Sequence, residues 1–205
     1  MCGIFGYVGN RKNAPKLVFD GLKTLEYRGY DSWGVAVVSE DEIFVKKKAG
    51  KIGNANVDDL PGGNLAIGHT RWATHGGVTN INAHPHLDCK GNIAVIHNGI
   101  FENYEGLKKK LIAKGHKFVS ETDTEVISHM IEDFLLSPPR CGELSTSGVF
   151  MQALRSVFKQ MEGLNAVIAI NNKDKSLVAA RNGSPLCIGF GKGENFLASD
   201  ASALL

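Results

Sequence analysis

The order of the predicted secondary-structure elements constrains the fold of this chain most strongly. Strand-forming stretches come first, interrupted by one helical pattern at 14–26, and three further helical patterns occupy the middle of the chain. Four short strands close it. Because strands and helices are segregated rather than alternating, parallel βαβ units are disfavoured. The sequence therefore predicts an α+β fold of antiparallel sheets with helices packed on their outer faces.

Apolar periodicity and turn residues give the bounds of these elements. The strands are predicted at 3–9, 33–39, 42–48, 64–70, 92–98, 164–171, 176–181, 186–190 and 195–199. The later helices are predicted at 103–114, 123–136 and 148–160. Glu40-Asp41 forms a hairpin turn, 49–63 is a loop, and 137–148 is a linker. The irregular stretch 72–91 is long for a compact domain, which is typical of a functional loop.

Composition excludes several function classes. The 205 residues are 43% hydrophobic and carry a formal net charge of +2, which suits a well-packed core but gives no basis for a nucleic-acid or membrane partner. No apolar run is long enough to span a bilayer, and the four cysteines form no CxxC pair. We expect one reduced, cytoplasmic domain over 1–205. Its last residues, 201–205, resemble the start of a helix, which predicts a longer parent protein; a frayed natural end is the alternative.

Cys2 is the first candidate for chemistry. If Met1 is removed, the thiol and a free α-amine belong to one residue. An N-terminal amine has a pKa of about 7.7–8.0, so it can serve as the base that activates the thiol. The alternative is a small buried hydrophobic residue.

Three further stretches contain candidate substrate contacts. Arg71, at a strand end before a polar, glycine-containing loop, can clamp a carboxylate, or it can form a surface ion pair. Asn98-Gly99 can form an oxyanion hole or a tight turn. Asp123 can accept a substrate ammonium, or it can simply occupy the first turn of a helix that begins with the capping box Thr122-x-x-Glu125.

The histidines give only a weak metal pattern. His84-Pro85-His86 has HxH spacing, and His69, His75 and His97 are near it in sequence, but no carboxylate-bearing metal motif accompanies them. We predict no metal and no cofactor, and we expect His84 and His86 to order the loop through hydrogen bonds.

Eight motifs together carry a family resemblance. In chain order they are MCGIFGYVG, LEYRGYDS, GHTRWATHG, NAHPH, HNGIFEN, SETDTEV, RNGSPL and GENFLASD. This series closely resembles the N-terminal glutaminase domain of the glutamine–fructose-6-phosphate aminotransferases (glucosamine-6-phosphate synthases), from Cys2 to Leu205.

The resemblance implies an N-terminal-nucleophile fold, a four-layer αββα sandwich. Cys2 would attack the glutamine side-chain amide, forming a thioester and releasing ammonia, with Asn98 and Gly99 as the oxyanion hole. Arg71 would bind the α-carboxylate and Asp123 the α-ammonium. The loop covering glutamine would comprise Trp72, Thr74, His75 and Gly76. Ammonia would pass to a C-terminal sugar isomerase domain, absent from this chain, for amino-sugar synthesis from fructose 6-phosphate by an enzyme that is homo-oligomeric at full length.

Alternatives and departures stay open. A chain that retains Met1 would be a catalytically silent glutamine-binding or regulatory module. The fold is also that of the glutaminase domains of glutamine phosphoribosylpyrophosphate amidotransferase and asparagine synthetase, and a metal-dependent amidohydrolase is a third alternative. Trp33 stands where the resemblance predicts a small residue, so its ring must find room and could perturb packing beneath the site. The 137–148 linker looks longer or more irregular than usual.

Overall fold

The computed structural model describes residues 2–137 and 146–205. Met1 and most of the predicted 137–148 linker lie outside the described residues. The strands are β1 (Gly3–Gly9), β2 (Ser32–Ser39), β3 (Glu42–Ala49), β4 (Leu65–Arg71), β5 (His86–Leu87), β6 (Ile93–Gly99), β7 (Asn165–Asn171), β8 (Ser176–Arg181), β9 (Cys187–Gly191) and β10 (Glu194–Ala198). The helices are α1 (Ala14–Thr24), α2 (Tyr104–Ala113), α3 (Thr124–Leu136) and α4 (Thr146–Phe158), with short 3₁₀ turns at Glu26–Arg28 and Ala201–Ala203.

The strands form two antiparallel sheets. One has the order β3-β2-β4-β1-β10-β9, and the other has the order β5-β6-β7-β8. The register sets Gly3 opposite Thr70 and Asn98 opposite Ala166. The predicted segregation of strands and helices is therefore confirmed, and so is the α+β class.

Side-chain alternation along the strands builds three apolar layers. In β1, Ile4 belongs to the cluster between the two sheets, whereas Phe5 belongs to the cluster beneath α1. In β6, Ile96 faces the other sheet, whereas Val95 packs with residues of α3 and α4. Three apolar interfaces require four layers, in the order helix, sheet, sheet, helix. The four-layer αββα sandwich is confirmed.

The structure differs from the predicted elements in a few places. The two-residue strand β5 lies within the stretch predicted as loop, where it pairs with β6. Strands β4 and β6 each begin and end one residue later than predicted, which places Arg71 and Gly99 at strand ends. Helix α4 begins at 146 rather than 148.

The Trp33 side chain is accommodated in the apolar layer beneath α1. Its side chain is only 1% exposed, and its ring lies 5.1 Å from the ring of Phe19. The indole therefore contributes to the core between α1 and the first sheet. Among the described residues, no helix is long and apolar enough to cross a membrane.

Candidate active site

A cavity of about 420 Å³ opens where three strands end. Strands β1 and β4 are neighbours in the first sheet, so their pairing carries Cys2 toward Arg71, while β6 of the second sheet supplies Asn98-Gly99. Every predicted site residue except Gly76 lines this cavity: Cys2, Arg71, Trp72, Thr74, His75, Asn98, Gly99 and Asp123. The fold thus brings together residues that lie up to 121 positions apart in sequence.

The Cys2 thiol lies at the rim of the cavity next to a backbone donor. The Trp72 N–H donates to Cys2 Sγ at 3.1 Å. Burial raises the pKa of the Cys2 thiol, and the Trp72 N–H opposes that shift. The Cys2 carbonyl oxygen accepts hydrogen bonds from Arg28 Nε at 3.1 Å and Asn98 Nδ2 at 2.8 Å. Cys2 is therefore fixed in position, and its thiol needs a base to ionise.

Asn98 is oriented by a buried histidine. His69 Nε2 lies 3.0 Å from Asn98 Oδ1 and 3.0 Å from the His97 carbonyl oxygen, so it must carry a proton and donate to them. Burial lowers the pKa of His69 to about 3, which keeps the ring neutral. This bond turns the amide nitrogen of Asn98 toward Cys2, and no described residue other than Cys2 accepts a hydrogen bond from that nitrogen, so its second N–H can serve a ligand.

Gly99 occupies a position that only glycine fits. Its φ is +136°, and a Cβ at this position would collide with the Leu164 carbonyl oxygen. Asn98 and Gly99 pair with Ala166 and Asn165 as the last residues of β6. The tight-turn alternative for Asn98-Gly99 is therefore wrong.

Arg71 is buried, and its guanidinium organises the loop that follows it. It is 3% exposed and donates to the carbonyl oxygens of His75, Gly76 (3.2 Å) and Gly77 (3.1 Å). The surface ion-pair alternative is therefore wrong. Gly76, the one predicted residue that does not line the cavity, acts through this contact.

Two carboxylates outside the predicted set secure the same loop. Asp31 Oδ2 accepts the Ala73 N–H at 2.9 Å, and Glu121 Oε2 accepts the Gly77 N–H at 3.2 Å. The exposed Trp72 ring packs edgewise against Tyr30, with 5.3 Å between the ring centroids. Hydrogen bonds therefore hold the loop at Ala73 and again from His75 to Gly77, while the Trp72 side chain stays exposed.

Asp123 presents a carboxylate at the start of α3. It is 4% exposed, and its Oδ2 accepts the Phe101 N–H at 2.9 Å and lies 3.9 Å from His75 Nδ1. The predicted capping box is only half formed. Thr122 Oγ1 accepts the Glu125 N–H at 3.4 Å, but the Glu125 carboxylate accepts the N–H groups of residues 119 and 120 instead of that of Thr122.

The other histidines of this region order the structure, as predicted. His84 Nδ1 accepts the His97 N–H at 3.4 Å, and His86 Nε2 lies 3.0 Å from Thr122 Oγ1. The rings of His69 and His84 stack at 4.1 Å. Burial lowers the pKa values of His84 and His86 well below the ordinary value, which favours neutral rings.

Sequence reasoning missed four residues that support the site. Arg28 and Asp31 both lie in the LEYRGYDS motif, and His69 directly precedes Thr70 and Arg71 in GHTRWATHG. Glu121 lies in SETDTEV beside Asp123. Their membership of these motifs was the available signal, but their partners become visible only in the folded chain.

Comparison with known proteins identifies the family. Residues 69–205, more than half of the chain, match the family model described as a glutamine amidotransferase domain. The chain belongs to the glutamine amidotransferase family.

Curated members of this family that resemble the chain are much longer. Over its whole length the chain is 50% identical to the glutamine–fructose-6-phosphate aminotransferase [isomerizing] of Pyrococcus horikoshii, of which it covers 33%. It is likewise 50% identical to the protein of that name from Thermus thermophilus, of which it covers 32%. The chain therefore spans about a third of the length of these relatives.

Two solved structures share the fold. The glutamine phosphoribosylpyrophosphate amidotransferase from B. subtilis, complexed with ADP and GMP, aligns with a TM-score of 0.79 at 26% identity, over 99% of this chain and 43% of that one. A structure titled as the allosteric regulatory enzyme of purine biosynthesis aligns with a TM-score of 0.80 at 27% identity, over the same shares of the two chains. The αββα sandwich is thus that of the N-terminal-nucleophile amidotransferases.

Proposed function

We propose that residues 1–205 form one glutaminase domain, which hydrolyses the side-chain amide of glutamine to glutamate and ammonia. The observation that carries this proposal is the position of the Cys2 thiol at one cavity that also contains Asn98, Gly99, Arg71 and Asp123. The cavity volume, about 420 Å³, suits a small molecule. Glutamine offers an amide carbon to the thiol, a carboxylate to the cation and an ammonium to the carboxylate.

The base in this proposal is the α-amine of Cys2 after removal of Met1. The amine accepts the thiol proton while Sγ attacks the amide carbon. Because burial raises the pKa of the thiol, a base within the same residue is needed near neutral pH. The resulting oxyanion receives hydrogen bonds from the free N–H of Asn98 Nδ2 and from the Gly99 N–H.

Collapse of this intermediate transfers the proton to the leaving nitrogen and releases ammonia, leaving the acyl group on Sγ as a thioester. Water then attacks the thioester carbon, the α-amine accepts the water proton, and the thiol leaves with that proton as glutamate is released. The same donors hold the second oxyanion. Arg71 and Asp123 hold the two ends of the amino-acid backbone throughout, and the loop containing Trp72, Thr74, His75 and Gly76 covers the substrate.

The experiment is a comparison of matched cysteine variants on glutamine. Mature chain, with Met1 removal verified by intact mass, should release glutamate and ammonia, and a diazoketone analogue of glutamine should add to Cys2. Cys2→Ala should lower the rate by about 10³-fold or more while glutamine still binds. Cys187→Ser, which alters a cysteine outside the cavity, should keep the rate of the unaltered chain.

Each alternative has its own outcome. Binding of glutamine without turnover by the mature chain would support the silent module. Equal turnover with and without Met1 would refute the α-amine as base. Loss of turnover on addition of a chelator would support the metal-dependent amidohydrolase.

We propose further that the full-length protein uses the ammonia to convert fructose 6-phosphate to glucosamine 6-phosphate, as the names of its longer relatives suggest. The cytoplasm fits the free state of the described cysteines Cys2, Cys89 and Cys187. We also propose a homo-oligomer at full length. Two measurements on the full-length protein test these proposals. One is an assay for glucosamine 6-phosphate formed from glutamine and fructose 6-phosphate, and the other is light scattering for the oligomeric state.

A further inference from the structure

A second cluster of chemically active side chains lies outside the cavity. It consists of Cys89, in the turn after β5, His116, just after α2, and His129 and Glu132 of α3. None of the four lines the cavity around Cys2. The two histidines and Glu132 are buried, whereas Cys89 is exposed.

Four potential ligand atoms converge in this cluster, all within 4.8 Å of one another. Cys89 Sγ lies 3.7 Å from His116 Nδ1 and 3.5 Å from His129 Nδ1. Glu132 Oε2 lies 2.9 Å from His116 Nδ1 and 3.2 Å from His129 Nδ1. A tetrahedral zinc ion with ordinary bond lengths separates its sulfur and nitrogen ligands by about 3.6 Å, and its nitrogen and oxygen ligands by about 3.3 Å. The cluster therefore already has nearly the dimensions of a tetrahedral zinc site.

Each histidine also has a carboxylate behind its other ring nitrogen. His129 Nε2 lies 3.7 Å from Glu125 Oε1, and His116 Nε2 lies 3.7 Å from Asp133 Oδ1. Among the described residues, the buried Nε2 of His129 has no hydrogen-bond partner. In metal sites a carboxylate that accepts the N–H of an imidazole ligand orients that ligand and raises its basicity. At 3.7 Å these two carboxylates lie near that position without forming the hydrogen bond. The residues around the four ligands, Glu125 and Asp133, are therefore also compatible with a bound metal.

Local structure explains why the four atoms meet. His129 and Glu132 are three residues apart in α3, so both project from one face of that helix. Gly115, with φ of +95°, ends α2 and lets the His116 N–H return to the Leu111 carbonyl oxygen. The Lys117 N–H then donates to Cys89 Sγ at 3.4 Å, so the same return of the chain also positions the sulfur.

We propose that Cys89, His116, His129 and Glu132 bind one Zn²⁺ ion as a closed, four-coordinate structural site. The ion would replace the thiol proton of Cys89 and leave Nδ1 of both histidines unprotonated. It would join the turn after β5 to the connection between α2 and α3 and to α3 itself. The exposed side of Cys89 gives the ion a route in from solvent.

The alternative is that the four residues form a hydrogen-bonded network and bind no metal. Glu132 Oε2 also accepts the Cys89 N–H at 3.2 Å, so this oxygen can be satisfied by imidazole and backbone donors alone. The alternative predicts no response to zinc.

The test is a cobalt titration of metal-free chain carrying Cys2→Ala, which removes the sulfur of the catalytic site. We expect one equivalent of Co²⁺ to bind, with a sulfur-to-cobalt charge-transfer band in the near ultraviolet and the strong visible absorption of tetrahedral cobalt. Cys89→Ser should abolish the charge-transfer band, whereas the matched variant Cys187→Ser should keep it. A band that survives Cys89→Ser would overturn the proposal.

A stability measurement covers the case in which a variant folds poorly. Zinc at 100 times its Kd should raise Tm of the unaltered chain by about 5–10 °C. Glu132→Gln, a conservative change, should reduce that rise. No rise in the unaltered chain would overturn the proposal. Glutamine hydrolysis by Cys89→Ser should equal that of the unaltered chain, so this proposal and the glutaminase proposal fail separately.

Discussion

Cys2 and Cys89 both lie among polar side chains, but opposite kinds of groups surround them. Around Cys2 most of the groups are donors: the Trp72 N–H on its sulfur and Asn98 Nδ2 on its carbonyl oxygen, with the Arg71 guanidinium in the same cavity, although the thiol also donates to the Trp72 carbonyl oxygen at 3.5 Å. Around Cys89, besides the Lys117 N–H, they are two imidazole nitrogens and the carboxylate of Glu132, which offer lone pairs to a cation when both Nδ1 atoms are unprotonated. The Cys2 thiol therefore faces groups that stabilise negative charge, whereas the Cys89 thiol belongs to a set of groups that can bind a cation.

This difference shows that a thiol takes its chemistry from its neighbours. A cysteine among donors beside an open cavity suits attack on a carbonyl, since the donors stabilise the oxygen that becomes charged. A cysteine among acceptors that already fill a tetrahedron leaves no space for a substrate and suits a structural ion.

The largest effect is expected at Asn98. Asn98→Ala removes a donor that is used mainly in the transition state, so kcat should fall by about 10²–10³-fold with little change in KM. Steady-state kinetics on glutamine measure both constants. The exposed Asn54→Ala serves as the matched control and should leave kcat unchanged. Unaltered kcat in Asn98→Ala would show that the donors near Cys2 form no oxyanion hole.

A smaller effect is expected at Arg71. A charged hydrogen-bonded clamp contributes about 1.5–3 kcal/mol, so Arg71→Ala should raise the apparent KM for glutamine by about 10–100-fold. Glutaminamide, which lacks the α-carboxylate, separates substrate binding from the support that Arg71 gives the loop. The unaltered chain should prefer glutamine to glutaminamide, and Arg71→Ala should lose that preference.

The exposed Arg155→Ala is the control for this measurement and should keep both the KM and the preference. If Arg71→Ala raises KM for both compounds equally, Arg71 acts on the loop alone. In that case the donor set around Cys2 does not include a carboxylate clamp.

The two sites also differ in how much of each could be predicted from the sequence. Short apolar runs between turn residues predict most element bounds to within one or two residues, because a strand buried on both faces is apolar almost throughout, as in Ile93 to Ile96. The candidate residues around Cys2 occur in short motifs, which is why they could be named before the fold was known. The motifs do not show which residues contact one another. For example, Arg28 donates a hydrogen bond to the Cys2 carbonyl oxygen, and these two residues are 26 positions apart in the sequence.

The Cys89 cluster could not be predicted in the same way. Its ligands lie at 89, 116, 129 and 132, and only the last two share a helical spacing. The sequence shows a weak metal pattern only around His84, where the buried rings of His84 and His86 form hydrogen bonds with His97 and Thr122. Strand β5 was missed for a related reason, since two residues are too few to show a period.

The smallest effect concerns the protonation of His69, the residue that orients Asn98. Burial lowers the pKa of His69 to about 3, whereas an unfolded histidine titrates near pH 6.5. Below pH 6.5 the unfolded chain therefore binds a proton that the folded chain does not. This contribution to stability is complete above pH 6.5 and decreases as the pH falls toward 3.

At pH 5 the difference for His69 amounts to about 2 kcal/mol. The free energy of unfolding, measured in urea at pH 7.5 and pH 5, should therefore fall less in His69→Gln than in the unaltered chain, by about that amount. Asn98→Ala keeps the buried imidazole and should keep the full pH dependence, since desolvation and not the amide partner is the main cause of the shift. An unchanged pH dependence in His69→Gln would mean that His69 is not held neutral, and the donor that aligns Asn98 would then be charged. Agreement would sharpen the comparison: at Cys2 burial keeps a histidine neutral so that it donates to an amide, whereas at Cys89 two imidazoles and a carboxylate converge where an ion would bind.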